Sequence, residues 1–149
     1  MSTTSGQGFV LSGKSVNTTS GGSIISLIKL RNQLTFTVSD IEANVTIPGN
    51  NLEGISAFPL QSGGYLVIGN EGAGTPNRSI CLLKVNNDLT LSWTSPSHLL
   101  FGGINDDFAG NVAELPDGRL LIFGTMSLGN EGQKKMALIK LNKDGKFLD

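Results

Sequence analysis

The chain has a single cysteine, Cys81, and a single histidine, His98. No intramolecular disulfide can form, and no Cys/His set can hold zinc. Charge is scarce too: charged residues make up 15% and the net charge is −1, with no basic cluster beyond isolated pairs such as Lys134 and Lys135. The electrostatic footprint of a nucleic-acid binder is therefore missing. The longest nearly apolar run, Ile24 to Leu30, is far too short to span a bilayer, so no transmembrane segment is expected. Met1 to Gly8 is polar, with neither a basic nor an apolar signal region, so the chain as given carries no secretion signal. Good helix formers are few, and no long stretch has helical spacing.

What the chain has is glycine, 20 residues of it, with 38% hydrophobic residues over 149 positions. That balance suits one domain of short strands joined by tight turns. Compared with itself, the sequence shows three similar segments, Gly8-Phe-Val-Leu-Ser-Gly13, Gly64-Tyr-Leu-Val-Ile-Gly69 and Arg119-Leu-Leu-Ile-Phe-Gly124, whose final glycines stand at intervals of 56 and then 55. Leu27-Ile-Lys-Leu30, Leu82-Leu-Lys-Val85 and Leu138-Ile-Lys-Leu141 follow them at intervals of 55 and then 56. Two independent anchors give one period, which is how a repeat architecture declares itself.

Each unit runs strand, Gly/Ser/Asn-rich connection, strand, polar turn, short β-prone segment. The turns are Arg31-Asn32-Gln33, Asn86-Asn87-Asp88 and Asn142-Lys143-Asp144-Gly145, residue types that tolerate positive φ and bond to their own backbone. Leu34-Thr35-Phe36 and Leu89-Thr90-Leu91-Ser92-Trp93 follow as fourth strands, while Gly54 to Leu60 and Ala109 to Leu115 read as first strands. The expected fold is all-β, built of propeller blades that are four-stranded antiparallel meanders. About 2.7 repeats fit: blade 1 at 6–47 without its first strand, blade 2 at 52–98, and blade 3 at 107–149 without its last strand. Since ~4 to 8 blades close a ring, the chain reads as part of a larger propeller, either cut from a longer polypeptide, as the sequence favours because both ends fall inside a blade, or completed by further copies.

Phe101-Gly-Gly-Ile-Asn-Asp-Asp-Phe108, Leu115-Pro-Asp-Gly118, Leu121-Ile-Phe-Gly124 and Leu138-Ile-Lys-Leu-Asn-Lys-Asp-Gly145 together resemble the repeat of bacterial surface and secreted β-propeller proteins. The last unit matches throughout. The middle one has Ser62-Gly63 where those proteins have Asp-Gly, and Pro48-Gly-Asn-Asn-Leu-Glu53 in place of the Gly-Gly and Asp-Asp elements. The resemblance rests on structural residues. It implies a fold and an extracytoplasmic location, in the periplasm or at the cell surface, and almost no chemistry.

Candidate sites are few. Lys29, Lys84 and Lys140 recur at one position, either as a ring of ammonium groups or, as the sequence favours, as stems lying across the sheet. Asn105, Asp106 and Asp107 offer hard oxygens to Ca²⁺, but lack the alternate spacing and closing Glu of a calcium loop; capping a turn is the preferred role, and no cofactor is expected. His98 with Ser95, Ser97 or Asp106 lacks a nucleophile elbow. Trp93, Phe101 and Phe108 form either a sugar platform or core filling, the latter preferred. Asn17-Thr-Thr19, Asn44-Val-Thr46 and Asn77-Arg-Ser79 match the N-glycosylation pattern, as expected by chance in so Asn/Ser/Thr-rich a chain.

With no converging nucleophile, base and orienting group, no catalytic residue and no enzymatic activity are expected. The leading function is a non-catalytic module binding or scaffolding a protein or glycan. Its loops Val16 to Ser23, Gly69 to Arg78 and Thr125 to Lys134 would share one face, with Glu71, Thr75, Pro76, Asn77, Asn130 and Glu131 as binding positions. One alternative is a propeller enzyme of glycoside hydrolase or lyase type, using Asp106, Asp107 and Glu114 in a central channel. Another is a self-assembling unit, a homo-oligomer formed through open strand edges.

Overall fold

The computed structural model describes residues 2–4, 8–16, 18–19, 21–31, 37–47, 49, 51–94, 96–103, 105–128 and 133–148. Among the described residues eleven strands form three antiparallel meanders. The first sheet is β1 (Ser2–Thr4), β2 (Gly8–Val16), β3 (Ser23–Leu30) and β4 (Ile41–Ile47). The second is β5 (Glu53–Pro59), β6 (Tyr65–Glu71), β7 (Ser79–Val85) and β8 (Leu99–Phe101). The third is β9 (Phe108–Glu114), β10 (Leu120–Leu128) and β11 (Gln133–Leu141). There is no α-helix among the described residues, and so none long and apolar enough to cross a membrane.

The three sheets are stacked with the second in the middle, and its strands show why. A strand with one buried face alternates apolar and polar residues, whereas β6 and β7 are apolar at nearly every position. One face, with Tyr65, Val67, Cys81, Leu83 and Val85, packs on Val10, Ile25, Leu27 and Ile47 of the first sheet. The other, with Leu66, Ile68, Ile80 and Leu82, packs on Val112, Leu120, Ile122 and Leu141 of the third. Along the stack the first strands touch in succession, β1 on β5 and β5 on β9. The sheets do not close into a ring within the described residues.

Two of the three glycines that mark the period, Gly69 and Gly124, have a geometric cause, whereas Gly13 has open space around it. In the β5–β6 pair, Gly54 faces Gly69 and Ser56 faces Ile68, so Ile55 is an extra, bulged residue. In the β9–β10 pair, Ala109 faces Gly124 and Asn111 faces Phe123, so Gly110 is the extra residue, one period after Ile55. A bulge bends its strand and disrupts the ladder locally. A Cβ on Gly69 would overlap the Glu53 carbonyl oxygen, and one on Gly124 would lie 2.6 Å from the Phe108 oxygen. Only hydrogen fits there.

The fourth strands depart from the sequence-based expectation. Leu89 has a positive φ of 67°, and Asn86, Asp88 and Thr90 are tied into one another by side-chain bonds. The chain is therefore still turning where a strand was expected; only Leu91 bridges back, to Val85, and pairing resumes at Leu99–Phe101. In the first unit the turn at Arg31-Asn32-Gln33 and the segment Leu34-Thr35-Phe36 lie largely outside the described residues, and the strand that pairs with β3 is Ile41–Ile47. Ahead of it, Ser2–Thr4 pairs with β2, giving the first unit a first strand where none was expected. In the third unit, Phe147 bridges Leu141 in the fourth-strand position.

Candidate functional site

The sheets are joined at one end of the stack, beside the connections that follow β2, β6 and β10. The Leu52 amide donates to the Ser23 carbonyl at 2.9 Å, and the Asp107 amide donates to the Arg78 carbonyl at 2.8 Å. These are the same bond, shifted by one period at both donor and acceptor. Next to it the Asn51 carbonyl accepts from the Ala73 amide at 3.0 Å, and the Asp106 carbonyl accepts from the Ser127 hydroxyl at 3.0 Å. The segments that enter β5 and β9 are thus each pinned to the elements beside them.

The junction between the second and third sheets is the more polar. Asp107 is fully buried, and its two oxygens accept from the Gly103 amide at 2.9 Å and the Ser127 amide at 2.6 Å. Asn70, also buried, donates to the carbonyls of Ser79 and Asp107 and accepts from the Ala109 amide, so one side chain bonds three backbone groups across two sheets. Arg78 and Lys134 flank Phe108, 4.5 and 4.3 Å from its ring centre. Each also meets the Asp106 carboxyl, at 3.3 and 3.7 Å. Both oxygens of Asp107 are therefore engaged by amides and those of Asp106 face cations. Among the described residues no group of His, Cys, Asp and Glu is arranged to hold a metal.

Of the proposed binding positions, Glu71 lies at the end of β6 with its carboxyl 3.2 Å from His98 Nε2. Thr75, Pro76 and Asn77 share one exposed turn, in which the Thr75 hydroxyl donates to the Gly72 carbonyl at 2.7 Å and accepts from the Asn77 amide at 3.3 Å. Asn130 and Glu131 lie outside the described residues. Glu114 is not brought to Asp106 and Asp107: it sits at the far end of β9 and accepts from the Gln61 amide at 2.6 Å.

The aromatic residues are dispersed as well. Trp93 packs over Gly145 and against the core, Phe101 meets Phe147 edge-on at 5.8 Å, and Phe108 has its cations. Lys29 reaches across the sheet boundary to the Asn87 carbonyl at 3.2 Å and pairs with Glu42 at 3.5 Å. Ser97, His98 and Glu71 form a line, with the Ser97 hydroxyl 3.1 Å from His98 Nδ1. The adjoining cleft of about 340 Å³ is lined by Trp93, Pro96 and Leu99 but by neither Ser97 nor His98. The line ties the 96–98 loop to β6. Cys81 lies in the core, where burial, helped by the nearby Glu71 charge, pushes its thiol up to about 12.

The sequence singles out Asp107, but neither Asn70 nor the His98–Glu71 contact. A signal for the junction exists, since Asn51 and Asp106 stand one period apart and both are Asn/Asp types. Asn70 has no such signal, because Lys14 stands at the corresponding place and pairs with Glu53 at 3.5 Å. Comparison with protein-family models, curated proteins and solved structures finds no match to this chain.

Proposed function

We propose that the chain is a set of β-propeller blades acting as a non-catalytic module that binds or scaffolds a protein or glycan at a bacterial surface. The observation that carries this reading is the pinning of the segments that enter β5 and β9 at one end of the stack, through Ser23–Leu52 and Asn51–Ala73 and then Arg78–Asp107 and Asp106–Ser127. Rigid sheets present adjacent loops on one rim, the arrangement by which scaffolds usually carry recognition. The carboxylates beneath, Asp107 and Asp106, are already committed to backbone amides and to cations, which favours holding over turnover. Extracytoplasmic placement follows from the repeat resemblance alone.

The test replaces Ala73 to Asn77 with a Gly-Ser linker, leaving Glu71 and its contact with His98 in place. Binding in a glycan array and in pull-downs from bacterial surface extracts should fall, with the strand circular dichroism unchanged. Retention of every interaction would place the recognition surface elsewhere.

A further inference from the structure

Asn142 to Lys146 form the turn that follows β11, and this turn stands between two clefts. Both lie toward the Tyr65–Val85 end of the β6–β7 pair, away from the Glu71–Ser79 end that carries the Ala73 to Asn77 loop. We propose that the two clefts form one groove that binds an acidic oligosaccharide, with Lys84 and Lys143 on its carboxylates and Trp93 against a sugar ring.

The first cleft, of about 350 Å³, opens between the second and third sheets. Leu60, Leu66 and Leu120 give it an apolar wall, and Lys84, Glu114 and Lys143 a polar one. The second, of about 340 Å³, is lined in part by Trp93, Ser92 and Thr94. Asp144 lines both, so the clefts meet at one side chain. An apolar lining with a few polar groups is the usual make-up of a small-ligand site of this size.

The corresponding place between the first and second sheets is satisfied from within. Lys29, one period before Lys84, donates to the Asn87 carbonyl and pairs with Glu42. Asn87, one period before Lys143, accepts from the Gly64 amide at 2.8 Å. Tyr65, one period before Leu120, fills its position with a buried ring. Between the second and third sheets the turn residue is a lysine, which accepts nothing, and the Arg119 amide donates to Asp117 instead, at 3.1 Å. Leucine takes the place of the ring, and the cleft opens beside it. Among the described residues neither Lys84 nor Lys143 forms an ion pair. Lys84 is half-buried, where an opposite charge is worth more than in open water.

Two ammonium groups beside an apolar wall favour a carboxylate. The Asp144 carboxylate and the hydroxyls of Ser92 and Thr94 offer partners to sugar hydroxyl groups. An indole adds a flat apolar face that suits the C–H side of a pyranose ring. Trp93 is held in place by the turn: a Cβ on Gly145 would lie 2.9 Å from its Cη2, so glycine, at a φ of 81°, lets the chain pass close to the ring. Glu114 and Asp144 would repel an acidic peptide, whereas a sugar chain gives them hydroxyls to bind.

Trp93 is the only tryptophan, so its emission reports on this groove. The experiment titrates the purified chain with oligogalacturonate and follows Trp93 fluorescence and the amide NMR signals of Gly118 and Gly145. Both should shift and saturate. The methyl ester of the same oligomer keeps the rings and loses the charge, and it should bind about tenfold more weakly. Lys84→Met and Lys143→Gln should weaken binding of the acid by a similar factor, with the strand circular dichroism unchanged. Lys143 is exposed, so its variant decides the question even where Lys84→Met does not fold. Replacing Ala73 to Asn77 should leave this binding as it is.

Absence of any shift at millimolar oligomer overturns the proposal. So does an ester that binds as tightly as the acid, or a folded Lys143→Gln that binds like the native chain. An oligo-aspartate that matches the sugar removes the sugar assignment. Loss of binding on replacing Ala73 to Asn77 would put the ligand at that rim, which overturns the groove and leaves the loop reading in force.

Discussion

Replacing Asp107 tests whether the polar junction holds the second and third sheets together. The side chain is wholly buried and satisfies the amides of Gly103 and Ser127, which lie on opposite sides of it in the sequence. Asp107→Leu keeps the size and adds apolar surface, so a purely hydrophobic account predicts little loss or a gain. Hydrogen-bond accounting predicts the reverse. The buried Ser127 amide left without an acceptor costs about 1–3 kcal/mol and the Gly103 amide, on an exposed residue, adds less, for a total of about 1–4 kcal/mol against the ~5–15 kcal/mol that holds a domain folded. Asp107→Asn keeps one acceptor and should cost about half as much. With a urea m-value of about 1.5 kcal/mol/M, a loss of about 3 kcal/mol moves the midpoint down by about 2 M at unchanged slope. The assay is urea unfolding of both variants followed by circular dichroism. An order in which Leu is tolerated as well as or better than Asn would refute the reasoning.

Gly69→Ala should cost about 1–3 kcal/mol, because its methyl meets the Glu53 carbonyl, whereas Gly13→Ala, which has open space, should stay within about 0.5 kcal/mol; thermal melts compare the two directly. Asn70→Ala strands two carbonyls and an amide and should cost more than His98→Ala, whose contact with Glu71 is partly solvated and worth at most about 1 kcal/mol. Cys81 should resist alkylation in the folded chain near neutral pH, because its thiol is both buried and held protonated. The folded thiol is raised from its ordinary value of 9.0 to about 12, so its contribution to stability is complete below pH 9 and is lost as pH rises toward 12. In that window the folding constant should fall by up to about tenfold per pH unit from this group, and Cys81→Ala should lack that component.

Much of the strand order was legible because the signals are local. Gly64-Tyr-Leu-Val-Ile-Gly69 and Leu82-Leu-Lys-Val85 are apolar runs closed by glycine or a polar turn, and the strands found, Tyr65–Glu71 and Ser79–Val85, contain them. The all-β class followed from the same runs. The fourth strands were misplaced because β propensity at Leu89 to Trp93 lost to the positive φ of Leu89 and the side-chain bonds among Asn86, Asp88 and Thr90. Ser2–Thr4 was missed because a strand that short and polar carries no pattern to read. The turn of Thr75, Pro76 and Asn77 was visible as an exposed loop. The role of Asn70 was not, since it depends on a third sheet whose approach no local signal encodes.

The period is also best kept where the sheets touch, and this explains why it could be read from so few residues. Gly69 and Gly124 are fixed by a facing carbonyl, and Leu82 and Ile80 by the sheet they face, so neither kind of position tolerates drift. The connection between β6 and β7 is exposed from Gly74 to Asn77, and the sequences of the three connections between second and third strands share little beyond polarity. Met136, Leu138 and Phe123 keep the large apolar character of the contact positions, although in a single chain they face solvent. An exposed face under no packing constraint is expected to become polar, as solvent-facing strands do.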